Sequence, residues 1–377
     1  MEKLSSILKM IAITVGIVIL VLIVCGSLFL YLSPQFGGRP NAEQKKKYAL
    51  APNYSNGKFI NQTNTEMHMD LATIASVLRD QVKGIPNSRP SSPLPIVPVD
   101  SLYIQENMAN SIIWFGHSSF FVKLNGLNIL IDPMFGDAPA PHPMVGGKRF
   151  EYELPIIPEK LPEIEVVVYS HDHYDHLDYS SVRKLKDKVK QFYVPLGVGA
   201  HLKAWGVANE KIHEMNWDDS VKYNGITFIC TPARHFSGRS LTDRNASLWS
   251  SWVIKSSDIN LYFSGDSGYG PHFKTIGKTY GPFDLALLEC GQYDKRWENI
   301  HMLPEQTVMA AKDVQAKLFM PIHWGAFRLA MHPWTDPIER VGKSAKEIGI
   351  PYIAPKIGEV VKIGEGDGSV AYWWRGL

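Results

Sequence analysis

Cysteine is scarce in this chain. Three in 377 residues, Cys25, Cys230 and Cys290, build neither a disulfide framework nor a cysteine-based zinc site, and they leave the redox compartment open. An excess of charge of one sign is missing too: 39 Lys and Arg stand against 37 Asp and Glu, for a net charge of +2. That balance gives no electrostatic footprint for nucleic acid. There is no internal repeat, and no glycine-rich phosphate loop at a strand–helix junction. With 45% hydrophobic and 20% charged residues, the composition excludes a disordered, collagen-like or coiled-coil chain. The length fits one large domain or two ordinary ones. Against these absences stand 13 histidines, several at spacings that carry chemistry.

Residues 10–32 read MIAITVGIVILVLIVCGSLFLYL, 23 residues without a charge. At ~1.5 Å per helical residue, such a run crosses a hydrocarbon core of ~30 Å. It is too long for the ~7–15-residue core of a cleaved signal, no small-x-small cleavage site follows it, and Val24 before Cys25 argues against a lipoprotein signal. The expectation is a single-pass transmembrane helix over 10–32 behind a short flank, 1–9. Lys3 and Lys9 precede it, while Arg39, Lys45, Lys46 and Lys47 follow, a count that leans toward a cytoplasmic catalytic domain. Residues 33–100 read as a tether and N-terminal extension. Within it, Leu71, Ile74, Leu78 and Val82 form a helical stripe over Glu66–Val82. Pro86, Pro90, Pro93, Pro95 and Pro98 then keep the chain extended.

Residues 101–377 read as the catalytic domain. SIIWF, FFVKL, LNILID, VVVYS, ITFIC, SSWVIKSS, INLYFSG, LALLE and LFMPI are strand-like, as are GEVVKI and VAYWW at the end. Asn125-Gly126 and Asn224-Gly225 are hairpin turns. Helices are expected over SSVRKLKDKV, capped by Asp178 or Ser180, over Pro304–Lys317 and over Asp336–Ile348. Strands this numerous, with hairpins, make an α/β (α+β) pattern and disfavour a doubly wound nucleotide fold.

The most informative stretch is SHDHYDHLD, residues 170–178, which begins where VVVYS ends. In extended chain, residues two apart point the same way, so His171 and His173 can converge on one ion. Asp175 and His176, carried around toward the following helix, can hold a second. Further residues of ligand type end other apolar strands: His235 after ITFIC, Asp266 after INLYFSG and His323 after LFMPI. We therefore expect His171, His173 and His235 on one ion, Asp175, His176 and His323 on the other, and Asp266 bridging them with its two oxygens. Nitrogen and oxygen donors suit Zn2+, two ions per chain, with iron or manganese left open.

SHDHYDHLD, TPARH, FSGDSGYG and PIHWG resemble the metallo-β-lactamase superfamily. WFGHSSF, LIDPMFG, GGKRF, VPLGV, SLWSSWVI, IGKTYGPFDLALL, YDKRW, HMLPEQTV and PIHWGAFRLA resemble its branch of N-acylphosphatidylethanolamine-hydrolysing phospholipase D. These motifs run in order from Trp114 to Trp374. The resemblance implies a four-layer αβ/βα sandwich and a di-zinc phosphodiesterase that yields N-acylethanolamine and phosphatidic acid. It also implies a phospholipid substrate at the membrane, with a homodimer left open and no nucleic acid. Leu303 departs from the acidic residue usual before the Pro-Glu pair, and LLECGQY replaces a more apolar stretch.

In mechanism, two cations lower the pKa of a shared water and neutralise charge developing on the phosphate. Asp175 and Asp266 are the catalytic carboxylates, with Asp266 placed to accept the water's proton. His301 is placed to assist the phosphate or the leaving group, or else caps the helix that follows. Asp132 is expected to orient a ligand histidine, and His117 to play a supporting role near the substrate or the ligands. Trp324, Phe327, Met134, Phe135 and Phe150 read as core. The competing functions are another hydrolase on the same scaffold, acting on a lactone or another phosphoester, and a non-catalytic metal-binding membrane protein.

Overall fold

A computed structural model describes residues 2–67, 70–142, 146–151, 153–365 and 368–377. Helix α1 (Glu2–Leu32) contains the uncharged run and extends it at its start. The most apolar 18-residue window of Lys3–Leu32 has a mean hydropathy of 3.0, and none of that window is buried in the protein. A helix that is apolar all round has no face suited to water.

The chain then runs along the body. α2 (Ala42–Tyr48) is capped by Asn41, whose side chain accepts from the Gln44 N–H. β1 (Tyr54–Ser55) and β2 (Lys58–Phe59) form a short hairpin. Tyr48 and Phe59 are buried in the main core, and the Tyr48 hydroxyl donates to Glu214 at 2.8 Å. α3 (Leu71–Lys83) is capped by Asp70; residues 68 and 69 of the expected 66–82 helix lie outside the described residues. The proline-rich stretch is not extended throughout: it turns at Pro86-Asn87, where Asn87 takes φ +52°, before it reaches α4 (Ser101–Asn107).

Two sheets follow. The first is seven-stranded and contains β3 (Ser111–Trp114), β4 (Phe120–Leu124), β5 (Leu127–Ile131), β6 (Ile164–Val168), β7 (Val189–Pro195) and β8 (Ile212–Met215). The second contains β9 (Ser220–Tyr223), β10 (Ile226–Thr231), β11 (Ser251–Lys255), β12 (Asn260–Phe263), β13 (Leu285–Glu289) and β14 (Phe319–Ile322). β15 (Val360–Lys362) returns to close the first, giving the orders β15-β3-β4-β5-β6-β7-β8 and β14-β13-β12-β11-β10-β9. Asn125 and Gly126 take φ of +49° and +80° between β4 and β5, and Asn224 and Gly225 take +45° and +85° between β9 and β10. Those left-handed pairs are what a two-residue hairpin of matching twist needs.

Period-two alternation separates the layers. Ile112 and Trp114 of β3 join the core between the sheets, whereas Ile113 and Phe115 join a second core on the outer face. There Val182 and Leu185 of α5 (Tyr179–Leu185) and Leu202 of α6 (Gly199–Ala204) cover the first sheet. The core between the sheets is continuous with packing on the far side of the second sheet, since it takes in Leu285 to Leu288 from both faces of β13, and α7 (His272–Tyr280), α8 (Pro304–Asp313) and α9 (Asp336–Ile348) add Phe273, Val308 and Val341 to it. The result is the expected helix–sheet–sheet–helix sandwich.

Several expectations differ. The helix expected over SSVRKLKDKV ends at Leu185, and Val189 already begins β7. α8 stops at Asp313 because Gln315 turns left-handed, at φ +61°. VAYWW is not a strand. Trp373 and Trp374 both bury against Trp324, with ring centroids 5.6 Å away in each case, whereas a strand would send neighbouring side chains to opposite faces.

Candidate metal centre

The site assembles along one edge of the sandwich. β5 and β6 are parallel, as are β12, β13 and β14. β10 runs with β12, since each pairs antiparallel with β11. Every one of these strands delivers a polar residue just past or at its carboxyl end: Asp132, His171, Asp266, Glu289, His323 and His235. The carboxyl edge of parallel strands is where loops can converge on a ligand.

Two clusters meet there. His171 Nε2 lies 2.9 Å from His173 Nδ1, and His235 Nε2 lies 3.2 Å from the same atom. Asp266 Oδ2 stands 3.8 Å from both His171 Nε2 and His235 Nε2. In the second cluster, His176 Nε2 is 3.2 Å from Asp266 Oδ1 and 3.4 Å from Asp175 Oδ2. His323 Nδ1 is 3.2 Å from Asp266 Oδ1, and its Nε2 is 3.9 Å from Asp175 Oδ2. The structure thus brings together all seven residues expected as ligands, and Asp266 turns one oxygen to each cluster.

The donors suit cations. Nitrogens bound tetrahedrally at ~2.0–2.1 Å sit roughly 3.3 Å apart, close to the spacing of the first cluster. Among buried polar atoms, His176 Nε2 and Asp266 Oδ1 have no hydrogen-bond partner, a cost of ~1–3 kcal/mol each unless something else satisfies them. Burial holds His171, His235 and His323 well below the usual histidine range and takes His173 to about 4. These rings are neutral, with lone pairs to give. Burial works the same way on His176, but Asp266, Asp175 and Asp132 outweigh it and hold its pKa high. Burial lifts Asp266 to about 6 against the pull of His176. For Asp175, burial loses to His176 and His117, and the carboxyl stays well below its ordinary value.

A surrounding ring fixes these side chains. Asp132 Oδ2 accepts from His176 Nδ1–H at 2.7 Å and from the Ser170 hydroxyl, and its Oδ1 accepts from the Ser170 N–H at 2.7 Å. His235 Nδ1–H donates to the Ile300 carbonyl at 2.9 Å. His117 Nε2–H donates to Asp175 Oδ2 at 2.9 Å. The bonds to His176 and His235 select the tautomers that turn Nε2 inward, and the bond from His117 fixes the Asp175 carboxylate. Asp172 faces away, accepting from the Ser247 hydroxyl and the Gly238 N–H. His117, Asp132 and His323 all take positive φ, at +55°, +40° and +69°. Such residues cost ~1–3 kcal/mol each and persist only where surroundings over-determine them. Here the His117 N–H donates to the Trp324 carbonyl and the His323 N–H to the His117 carbonyl.

His301 stands at the wall, 4.0 Å from Asp266 Oδ2. Its Nδ1 shares a hydrogen bond with Glu289 Oε2 at 3.0 Å. Glu289 was missing from the sequence reading. It is fully buried at the end of β13, and burial pushes its pKa well up despite N–H donors from Met302 and Ser267. Its signal was its place: an acid closing the apolar run LALLE, the same position that marks Asp266 and His323. Trp324, Phe327, Met134 and Phe135 are buried core residues, and Phe150 packs partly buried against that core.

A family model described as the beta-lactamase superfamily domain matches residues 127–324. An uncharacterized protein of Mycobacterium tuberculosis is 39% identical over 330 residues, 86% of this chain and 88% of that one. The N-acyl-phosphatidylethanolamine-hydrolyzing phospholipase D 1 of Caenorhabditis elegans is 37% identical over 226 residues, 57% of this chain and 63% of that one. Among solved structures, Igni18, a metallo hydrolase from Ignicoccus hospitalis, superposes with a TM-score of 0.50 at 22% identity, covering 67% of this chain and 97% of that one; this likeness concerns the fold. Fold and donor set define a metal-dependent hydrolase. The chain belongs to the metallo-β-lactamase superfamily, and within it is similar to that N-acyl-phosphatidylethanolamine-hydrolyzing phospholipase D.

Proposed function

We propose that this hydrolase is a membrane-anchored phosphodiesterase of phospholipase D type, using two zinc ions to cleave N-acylphosphatidylethanolamine. The observation that carries the reading is the shared carboxylate: Asp266 offers one oxygen to each cluster. His171, His173 and His235 would hold one ion and Asp175, His176 and His323 the other. When bound, the pair supplies an acidified water and electrophilic stabilisation of the phosphoryl oxygens.

The protein's own groups do the rest. His117 and Asp132 hold Asp175 and His176 in place. Asp266 takes the proton that the attacking water gives up. The water oxygen joins phosphorus, and the bond from phosphorus to the ethanolamine oxygen breaks. That leaving oxygen takes up the proton that Asp266 received, and His301, tied to Glu289 through Nδ1, is placed to assist the transfer. Phosphatidic acid and N-acylethanolamine result. We read α1 as a single-pass anchor that keeps the site beside its lipid substrate.

The test is product identification. Zinc-loaded protein in vesicles containing N-acylphosphatidylethanolamine should release N-acylethanolamine and phosphatidic acid in equal amounts. Release of free fatty acid instead, or cleavage of a lactone but no phosphodiester, would contradict the reading.

A further inference from the structure

We propose that α3 and the tip of the 236–246 loop form a second membrane contact beside the rim of the metal centre, and that their occupant is the lipid bilayer. The proposal rests on the reading of α1 as a bilayer span and deepens it. α3 is amphipathic in the wrong sense for water. Arg296 of the body donates from Nη1 to the Ser76 hydroxyl at 3.0 Å and to Asp80 Oδ2 at 2.9 Å, so its polar side faces inward. At about 100° per residue, Leu71, Leu78 and Val82 cluster on the opposite side. They are 85%, 56% and 88% exposed, and no residue of α3 is buried. A helix on a soluble body turns its apolar stripe to the core; a helix on a membrane surface turns it outward into the interface.

The identity of the occupant follows from where α1 is fastened. Just past Leu32, the Pro34 carbonyl accepts from Trp205 Nε1 at 2.6 Å. The Gln35 carbonyl accepts from Arg239 Nε and Nη2 at 2.9 and 2.7 Å. Arg239 Nη1 in turn donates to the carbonyls of Asp172 and Leu177, which bracket the ligand loop. The Phe36 ring meets Tyr174, between His173 and Asp175, edge to face at 6.5 Å. Gly38 lies so close to the body that a Cβ there would come within 2.3 Å of the Ala200 carbonyl oxygen. The end of α1 is therefore fixed against the loop that carries four of the proposed ligands, and the bilayer holding α1 borders that loop.

The same rim continues to α3. Arg39 donates to Thr242 at 2.8 Å, Arg244 contacts Met67 Sδ at 3.5 Å, and Arg234, beside His235, donates to Asn64 and Thr65. Residues 34–39, the loop and the approach to α3 thus form one connected path. Leu241, at the loop's tip, is 88% exposed. A membrane that borders residues 34–39 meets Leu241 and α3 next, and brings its headgroup phosphodiesters beside the ligand loop.

The test uses the full chain in phosphatidylcholine vesicles, with Cys25→Ser as background. Leu78→Cys, Leu241→Cys and Lys255→Cys are labelled in turn with bimane; Lys255 ends β11 at the edge away from the site. Nitroxide-bearing lipids should cause loss of fluorescence at positions 78 and 241 and none at 255. Equal responses at all three positions would overturn the proposal. So would a disulfide between two copies at position 78 without quenching by lipid, which would assign that face to a second copy of the chain. Because the readout needs no turnover, it stands or falls separately from the phosphodiesterase assay.

Discussion

Asp266 is the residue on which the chemistry turns, because one carboxylate serves two donor clusters. Asp266→Ala should lose at least about 10³-fold in turnover and release metal, with circular dichroism unchanged; a metal count by mass spectrometry checks this. Asp132→Asn keeps the shape but weakens the bond that orients His176, and should cost ~10–100-fold in metal affinity. The pH dependence follows from the same groups. Metal binding must expel the proton that His176 holds and, below about 6, one from Asp266. Affinity should therefore rise with pH, roughly a hundredfold per pH unit below about 6, where both groups hold a proton, and roughly tenfold per unit above it for as long as His176 still holds its own. Calorimetry in buffers of different ionisation enthalpy would report those protons, and a pH-independent affinity would contradict the assignment.

At the scale of elements, the site depends on strand ends held in register by a few close approaches. Gly291 packs so tightly on the β14 exit that a Cβ would lie 1.9 Å from the His323 carbonyl oxygen. Gly291→Ala should displace His323 and lower metal occupancy, measurable by the same count. Arg239→Met would strip donors from three buried or half-buried carbonyls, those of Asp172, Leu177 and Gln35. At ~1–3 kcal/mol per unpaired group, a loss of at least about 3 kcal/mol in a denaturant melt is expected.

These elements also show what a sequence can carry. The converging residues were legible because each closes an apolar run, and because His171, His173 and His176 sit at spacings that a strand end and turn place together. The two Asn-Gly hairpins were legible because only a left-handed pair fits such turns. Glu289 was not, since one acid at the end of LALLE has no partner nearby in sequence; its partner His301 is twelve residues on, across a 3-10 turn (Lys295–Trp297). VAYWW misled because alternation cannot tell a strand from a turn that buries two tryptophans on one cluster.

At the scale of the molecule, α1 and the body are separable in energy but joined in position. No part of Lys3–Leu32 is buried, so a chain beginning at Ser33 should melt at the same temperature as the full protein while moving from the vesicle to the soluble fraction on sedimentation. A lowered melting temperature would show that α1 supports the body directly.

The central claim is that two cations share Asp266. Anomalous diffraction from zinc-loaded crystals tests it most directly. The account predicts two peaks ~3.5–4 Å apart, one among His171, His173 and His235, the other among Asp175, His176 and His323. A single peak, or one seated instead among Asp266, Glu289, His301 and His323, would contradict it.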